Sequence, residues 1–438
     1  MLERKFATYL KEFLSSTPQK ILLVNGARQI GKSFIIRHVG SQMFSNFIEI
    51  DLRADSEGER IFKHVRTTSD FYIQLGILAG DKLSDVSNTL VFLDEIQVYP
   101  HLLTMLKFLN QEHRYRYIAS GSQLGIALSR STSVPLGSVE IQQMHPLDFE
   151  EFLWAMNVGK SAIEAMRQSF KARQPLNEST HNYILKLFRQ YLLCGGLPEA
   201  VNTFIETQNF YKIRELQNGI HTLYGIDASQ YDKDHSLKIR RIYDLIPSTL
   251  ENKKKRIVFR DIEDKKGRQY RDYEDEFEYL IQSGITLDVC AISNPRFPLL
   301  ESASKNLIKL YLNDVGLLTQ VLYNKNENAV LNDIRSINLG TVYEAVVAQE
   351  LKAHGYKLHY YDNKRNGEVD FLIDNFDTLS VLPIEVKSGK DYYVHSALNR
   401  LISNEEYNIK EAYVLSNAPD VKQKDNITYL PIYYIMFI

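Results

Sequence analysis

Near the start of the chain, Gly26, Ala27, Arg28, Gln29, Ile30, Gly31, Lys32 and Ser33 have the types and spacing that cradle a phosphate chain. Glycine at both ends of Gly26-x-x-x-x-Gly31 lets successive backbone N–H groups curl around an anion, and a helix starting at Lys32 adds the partial positive charge of its N-terminus. Lys32 is expected to reach the β- and γ-phosphates of ATP, and Ser33 to place its hydroxyl on Mg²⁺. Phe34, the next residue, is counted with the cradle.

Hydrolysis needs more than a cradle. Asp94 and Glu95 end the apolar run Leu90-Val91-Phe92-Leu93, where ligands meet the strands of an open α/β sheet. Asp94 is suited to hold Mg²⁺ and Glu95 to activate water as a general base. An Asp-Glu pair after an apolar run also caps helices, but here a phosphate cradle precedes it. A later strand, Tyr115 to Ala119, runs into Ser120 and Ser122, either of which is placed to sense a γ-phosphate. Arg130, on a short helical segment, is the candidate for a charge-stabilising arginine supplied to a neighbouring copy, ahead of Arg28 inside the loop.

A second constellation lies between Leu339 and Gly389. Glu344 sits on an apparent helix, Asp370 follows on a strand, and Glu385-Val386-Lys387 forms another, with Glu385 and Lys387 on one face. Glu344, Asp370 and Glu385 are candidate ligands for Mg²⁺ or Mn²⁺, with Lys387 orienting water or stabilising a phosphate under attack. Glu368, two residues before Asp370, reads as a solvent-facing glutamate before a third strand ligand.

The elements that must position these residues follow from pattern. Ile21 to Val24 is short, continuous and apolar, as a buried parallel strand is, and Phe34, Ile35, Ile36 and Val39 give the next segment a helical apolar face. Phe47 to Asp51 reads as a further strand. Tyr183, Leu185, Leu187, Phe188, Tyr191 and Leu192 recur at helical spacing until Gly195-Gly196-Leu197-Pro198 breaks the helix. Leu237 to Leu250 and Arg271 to Ser283 are helical, and Gly284 to Ile292 with Ile308 to Leu312 suggest a β-hairpin, together a winged-helix-like module.

Composition excludes several classes. At 438 residues the chain has room for several cores, and 44% hydrophobic with 24% charged residues is globular. Two cysteines, Cys194 and Cys290, give neither a disulfide framework nor a cysteine zinc site. No apolar stretch approaches a membrane span of roughly 18 residues and the N-terminus reads as an amphipathic helix, so cytoplasmic residence without a membrane partner is expected. Net charge is −2, yet Lys233 to Asp272 holds 13 Lys/Arg against 7 Asp/Glu, a local 13 − 7 = +6 able to neutralise phosphates.

GARQIGKS, the Leu-Asp-Glu box, Ser-Gly-Ser at a strand end, MHPLDFEEFL at 144–153 and LCGGLPEAV at 193–201 together resemble the prokaryotic AAA+ ATPases of the AAA_14 type that carry a C-terminal DUF4143 domain. The order helix Glu, strand Asp, strand Glu-x-Lys resembles the PD-(D/E)xK nuclease superfamily. These resemblances imply an α/β chain of four parts: a P-loop AAA+ sheet over 1–149, a helical lid over 150–225, a winged-helix-like basic domain over 226–330 and a restriction-endonuclease-like domain over 331–438. They imply ATP and Mg²⁺ as cofactors and a homo-oligomer, while the basic segment and its winged-helix-like pattern point to nucleic acid as partner, DNA ahead of RNA. A second reading makes the chain an ATP-controlled switch whose nuclease-like fold is an inert docking module.

Overall fold

The computed structural model describes residues 1–16, 20–83, 85–130, 137–229, 236–299, 303–332, 339–389 and 391–438. They form two compact units, one built from Glu3–His145 with Gln282–Gly284, the other from Pro146–Ile281 with Ile285–Ile438.

The first unit is a parallel sheet of β1 (Ile21–Asn25), β2 (Asn46–Asp51), β3 (Thr89–Asp94), β4 (Arg116–Gly121) and β5 (Val139–Gln143), in the order β2-β3-β4-β1-β5. Every residue of β1 and β3 is buried, which is why both read as unbroken apolar runs rather than alternating ones. Leu23, Val91, Leu93 and Ala119 share one core with Leu103 and Leu106 of the helix Pro100–Glu112. In this order β4 lies between β1 and β3, so the loop after β1 and the acids ending β3 open at the same end of the sheet.

The second unit contains helices over 149–250 and a mixed eight-stranded sheet. Its strands are β6 (Thr286–Ile292), β7 (Ala303–Leu312), β8 (His359–Asn363), β9 (Gly367–Asn375), β10 (Ser380–Val386), β11 (Ala412–Ser416), β12 (Lys422–Lys424) and β13 (Ile427–Pro431), ordered β12-β13-β11-β10-β9-β8-β6-β7. This corrects the expected winged helix. The β6–β7 hairpin is no free wing, because β6 pairs in parallel with β8, Cys290 opposite His359. The sequence of β6 explains this: five of its seven residues are buried, the pattern of an inner strand. The sheet therefore crosses the boundary drawn at residue 330.

The helices expected as a lid also belong to this unit. Phe149 N donates to Glu350 Oε1 at 2.9 Å, His181 Nδ1 meets the Tyr433 hydroxyl at 3.1 Å, and Arg173 pairs with Glu411. In the helix Glu178–Cys194 the expected apolar positions are buried, save Tyr183, which is exposed. Among the described residues no helix is long and apolar enough to cross a membrane.

Candidate nucleotide site and C-terminal carboxylate site

The loop after β1 is held in a conformation few side chains tolerate. Gly26 has φ 152° and Gly31 φ 91°, and a Cβ at Gly26 would lie 2.4 Å from the Met144 carbonyl oxygen. Gln29, at φ 63°, is left-handed without being glycine, a local strain of roughly 1–3 kcal/mol. Two residues that sequence reasoning missed brace the loop. Arg4, buried ahead of the helix Lys5–Ser15, donates to Ile30 O at 3.1 Å and His145 O at 2.7 Å. Asn25 donates to Gln143 Oε1 at 2.9 Å and accepts from Leu124 N at 3.3 Å, joining β1 to β5 and to the helix Leu124–Arg130.

A cleft of about 450 Å³ brings together Arg28, Gln29, Gly31, Lys32, Ser33, Phe34, Asp94 and Glu95, the expected residues, with Asp51 and Arg53, which no motif signalled. Ala27 and Ile30 are buried, so their contribution is backbone, and Phe34 is exposed rather than part of the helix core. Lys32 is buried and its ammonium donates to Gly26 O at 2.9 Å and Ala27 O at 2.8 Å. Burial pushes the ammonium down to about 8, helped by Arg28 and opposed by Glu95 and Asp94.

Asp94 accepts from the Ser120 hydroxyl and, at 3.0 Å, from Glu95 N. Ser120 is thus fully buried behind Asp94, positioning the acid rather than lining the cleft, and Ser122 is buried with its hydroxyl unpaired among the described residues. Glu95 takes a left-handed backbone at φ 53°, and Gln97 donates to its Oε2 at 2.5 Å. Gln97 is a further residue the motif search passed over, two places beyond the acid it steers. The helix carrying Arg130 ends at that residue, and the Arg130 side chain lies outside the described residues.

In the second unit, Glu344, Asp370, Glu385 and Lys387 also converge. Asp370 on β9 and Glu385 on β10 lie one step beyond the Phe371–Ile384 pair of the antiparallel ladder. Asp370 Oδ2 accepts from Val386 N at 2.8 Å, and Glu385 Oε1 meets Lys387 Nζ at 2.7 Å. Glu385 Oε2 is buried with no partner among the described residues. Glu344, on the helix Leu339–Ala353, accepts from the Tyr311 hydroxyl at 3.3 Å and forms an ion pair with Lys255. Burial, then Asp370, pushes Glu344 up from the ordinary carboxyl range, and the same causes with Glu344 push Glu385 to about 8. Lys387 is raised against its own burial by Glu385 and Asp370.

Among the described residues no group of three or more His, Cys, Asp or Glu side chains is arranged to hold a metal ion as the side chains stand. Each acid is already committed, Glu344 to Lys255, Asp370 to a backbone N–H and Glu385 to Lys387. Glu368, read as solvent-facing, pairs at 2.6 Å with the fully buried Lys309. Within the basic stretch Lys238 pairs with Glu263, Arg240 with Asp244 and Arg268 with Asp272, acids already counted against the surplus, while Lys255 on Glu344 and Arg256 on Asp362 draw on acids outside it.

A parallel sheet ordered β2-β3-β4-β1-β5, a phosphate loop after β1 and an Asp-Glu pair ending β3 define a P-loop ATPase of the AAA type. Residues 18–153 match the AAA domain AAA_14, residues 339–435 match the domain of unknown function DUF4143, and residues 185–328 match another domain of unknown function, DUF8612. The last of these matches runs across the helices and the β6–β7 hairpin. A domain of unknown function brings no chemistry with its name, so the nuclease-like reading rests on the residues alone.

Among solved structures the chain is similar to the Walker-type ATPase PABY2304 of Pyrococcus abyssi, at 14% identity over 76% of this chain and 96% of that one, with a TM-score of 0.44. It is also similar to the Aeropyrum pernix ORC1 protein in complex with DNA, at 13% over 76% and 91%, TM-score 0.31. A third is Cdc6p from Pyrobaculum aerophilum, at 10% over 76% and 95%, TM-score 0.27. No curated protein matches the chain.

The position of Lys32 has a measurable consequence. Of the two forms of Lys32 only the ammonium adds a charge to attract phosphate, and with its pKa near 8 the nucleotide-free protein takes up a proton on binding at higher pH. ATP affinity is therefore expected to hold below about pH 8 and then to weaken by up to about tenfold per pH unit. Fluorescent-nucleotide titrations from pH 7 to pH 9.5 check this, and a flat profile refutes it.

Proposed function

We propose that the chain is an Mg²⁺-dependent, ATP-hydrolysing machine whose first unit acts on nucleic acid through the nuclease-like fold of the second. The observation that carries the ATPase half is the single cleft holding Lys32, Ser33, Asp94 and Glu95. A hydroxyl and a carboxylate are the hard oxygen donors Mg²⁺ takes beside phosphate and water, so Ser33 and Asp94 fit that ion. Bound there, Mg²⁺ neutralises charge on the β- and γ-phosphates. Lys32 holds those phosphates, and Glu95, kept in place by Gln97, accepts the proton of the attacking water. Ser122 is proposed as the residue that reports on the γ-phosphate, and Arg130 as the arginine lent to a neighbouring copy in a homo-oligomer.

The nucleic-acid half is supported by Asp370, Glu385 and Lys387 on adjacent strands, with Glu344 on the helix beside them. Two carboxylates with phosphate and water suffice for Mg²⁺ or Mn²⁺, and the unpartnered Oε2 of Glu385 is a donor in waiting. Lys253 and Lys254 remain exposed in the basic stretch and offer phosphate contacts, with DNA ahead of RNA as the ligand. The proposal places the chain in the cytoplasm.

One observation favours a second reading. With Glu344 tied to Lys255, the C-terminal fold equally suits an ATP-controlled docking module that cleaves nothing. ATP turnover at low salt, with and without DNA or RNA, tests the coupling, and cleavage with Mn²⁺ tests the nuclease. Stimulation of several-fold and cleavage lost in Asp370→Ala are the expected results. Turnover indifferent to every nucleic acid, together with no cleavage, leaves the switch.

A further inference from the structure

We propose that Lys255 is the resident counter-ion of the C-terminal carboxylate site, and that a divalent cation enters only by displacing its ammonium. This rests on the reading that those carboxylates take such a cation. Lys255 comes from the turn after the helix Ser236–Leu250, 89 residues before its partner Glu344. Its side chain is 16% exposed, and Asp370 and Glu368 act on its charge as well as Glu344. A lysine that surrenders solvent in this way needs compensation, and it finds it in a site rich in carboxylates.

The backbone shows how far the chain goes to deliver this charge. Lys255 stands at φ 51°, a left-handed conformation that an unbranched L-residue seldom takes. On either side the segment is pinned: Lys255 N donates to Asn252 O at 3.1 Å, Ile257 N to Ile308 O at 3.2 Å, and Arg256 pairs with Asp362 at 2.7 Å. The main chain is thus fixed without the Lys255 ammonium, so leaving Glu344 would require rotation of the four-carbon stem alone. Its exposed neighbours Lys253 and Lys254 mark where it would go, toward an incoming phosphate backbone. The ammonium then trades a carboxylate for a phosphate as the cation takes its place.

Removing a tethered competitor raises apparent affinity by the inverse of the fraction of time the site stood free. In the full chain, Lys255→Met is expected to bind Mn²⁺ about tenfold more tightly than wild type, as measured by calorimetry at pH 7.5. The gain should vanish when Glu385→Gln is added. Equal affinity in wild type and Lys255→Met, both weakened by Glu385→Gln, overturns the role of Lys255 and leaves the carboxylate site standing. Mn²⁺ binding that ignores Glu385→Gln in every background overturns the carboxylate reading and the proposal with it.

Wild-type protein supplies a readout that survives a folding failure of the variant. Acylation of Lys255, followed by mass spectrometry, should speed up several-fold when Mn²⁺ is added, while that of Lys253 stays constant. An unchanged rate at Lys255 overturns the displacement.

Discussion

Lys32→Met is expected to reduce ATP turnover by at least about a hundredfold, and Glu95→Gln by about 10²–10⁴-fold, with only the first weakening binding. The ammonium of Lys32 is the charge aimed at the phosphates from inside the loop, and nothing else in the cleft is equally buried and cationic. Its loss weakens ATP binding and turnover together. Glu95→Gln keeps the size and the left-handed backbone of the acid but loses the base, so ATP should stay bound and unhydrolysed. Steady-state phosphate release with nucleotide titration separates the two. Full turnover in both variants would remove the site from consideration, whereas loss of binding in Glu95→Gln would mean the acid shapes the cleft rather than the reaction.

How legible was this site in the sequence? Gly26, Gly31, Lys32, Ser33, Asp94 and Glu95 were readable because a phosphate cradle fixes both types and spacing locally. Arg4, Asn25 and Gln97 were not, since Arg4 and Asn25 act through hydrogen bonds to partners whose position only the fold defines, and no motif marks the local bond from Gln97 to Glu95. Asp51 and Arg53 reach the cleft for a similar reason: β2 pairs with β3 so that Asp51 stands opposite Asp94. The bond from Ser120 to Asp94 was not legible, because a strand-end serine looks alike whether it faces the ligand or the acid beside it.

The second unit was harder to read. Local pattern found several of its helices and most of its strands, but parallel pairing between β6 and β8 joins residues some seventy apart, which no local periodicity encodes. A hairpin that reads as a wing by itself became part of an inner sheet. The same blindness hid Lys255: within Lys253-Lys254-Lys255-Arg256 the four side chains look interchangeable. In the fold two stay exposed, one neutralises Asp362, and one enters the carboxylate site. Net charge over a segment counts such residues together, although only the exposed ones attract a polyanion.

The most damaging single change in the second unit should be Asp314→Ala. Its carboxylate is wholly buried, caps the helix Val315–Tyr323 by accepting from Leu317 N at 3.1 Å, and accepts from Gly196 N at 2.6 Å. That second bond explains the Gly195-Gly196-Leu197-Pro198 break. A Cβ on Gly195 would lie 2.1 Å from Asp314 Oδ1, and one on Gly196 2.0 Å from Leu147 O, so the two glycines are what allows the backbone to reach the acid. Burial lifts the carboxyl to about 6 even as these N–H groups hold it down, so the site already carries a desolvation cost that only the hydrogen bonds offset. Alanine leaves two buried donors without an acceptor, at about 1–3 kcal/mol each, for a total on the order of 3 kcal/mol. In a unit of this size that corresponds to a melting shift of roughly 4–6 °C. Asp314→Asn should recover little, because its amide offers one acceptor where two are used and turns a donor toward the other N–H. Calorimetry resolving the transition of the second unit measures both variants. A shift under about 2 °C for Asp314→Ala would mean that water replaces the carboxylate and that the glycine break is maintained by packing alone.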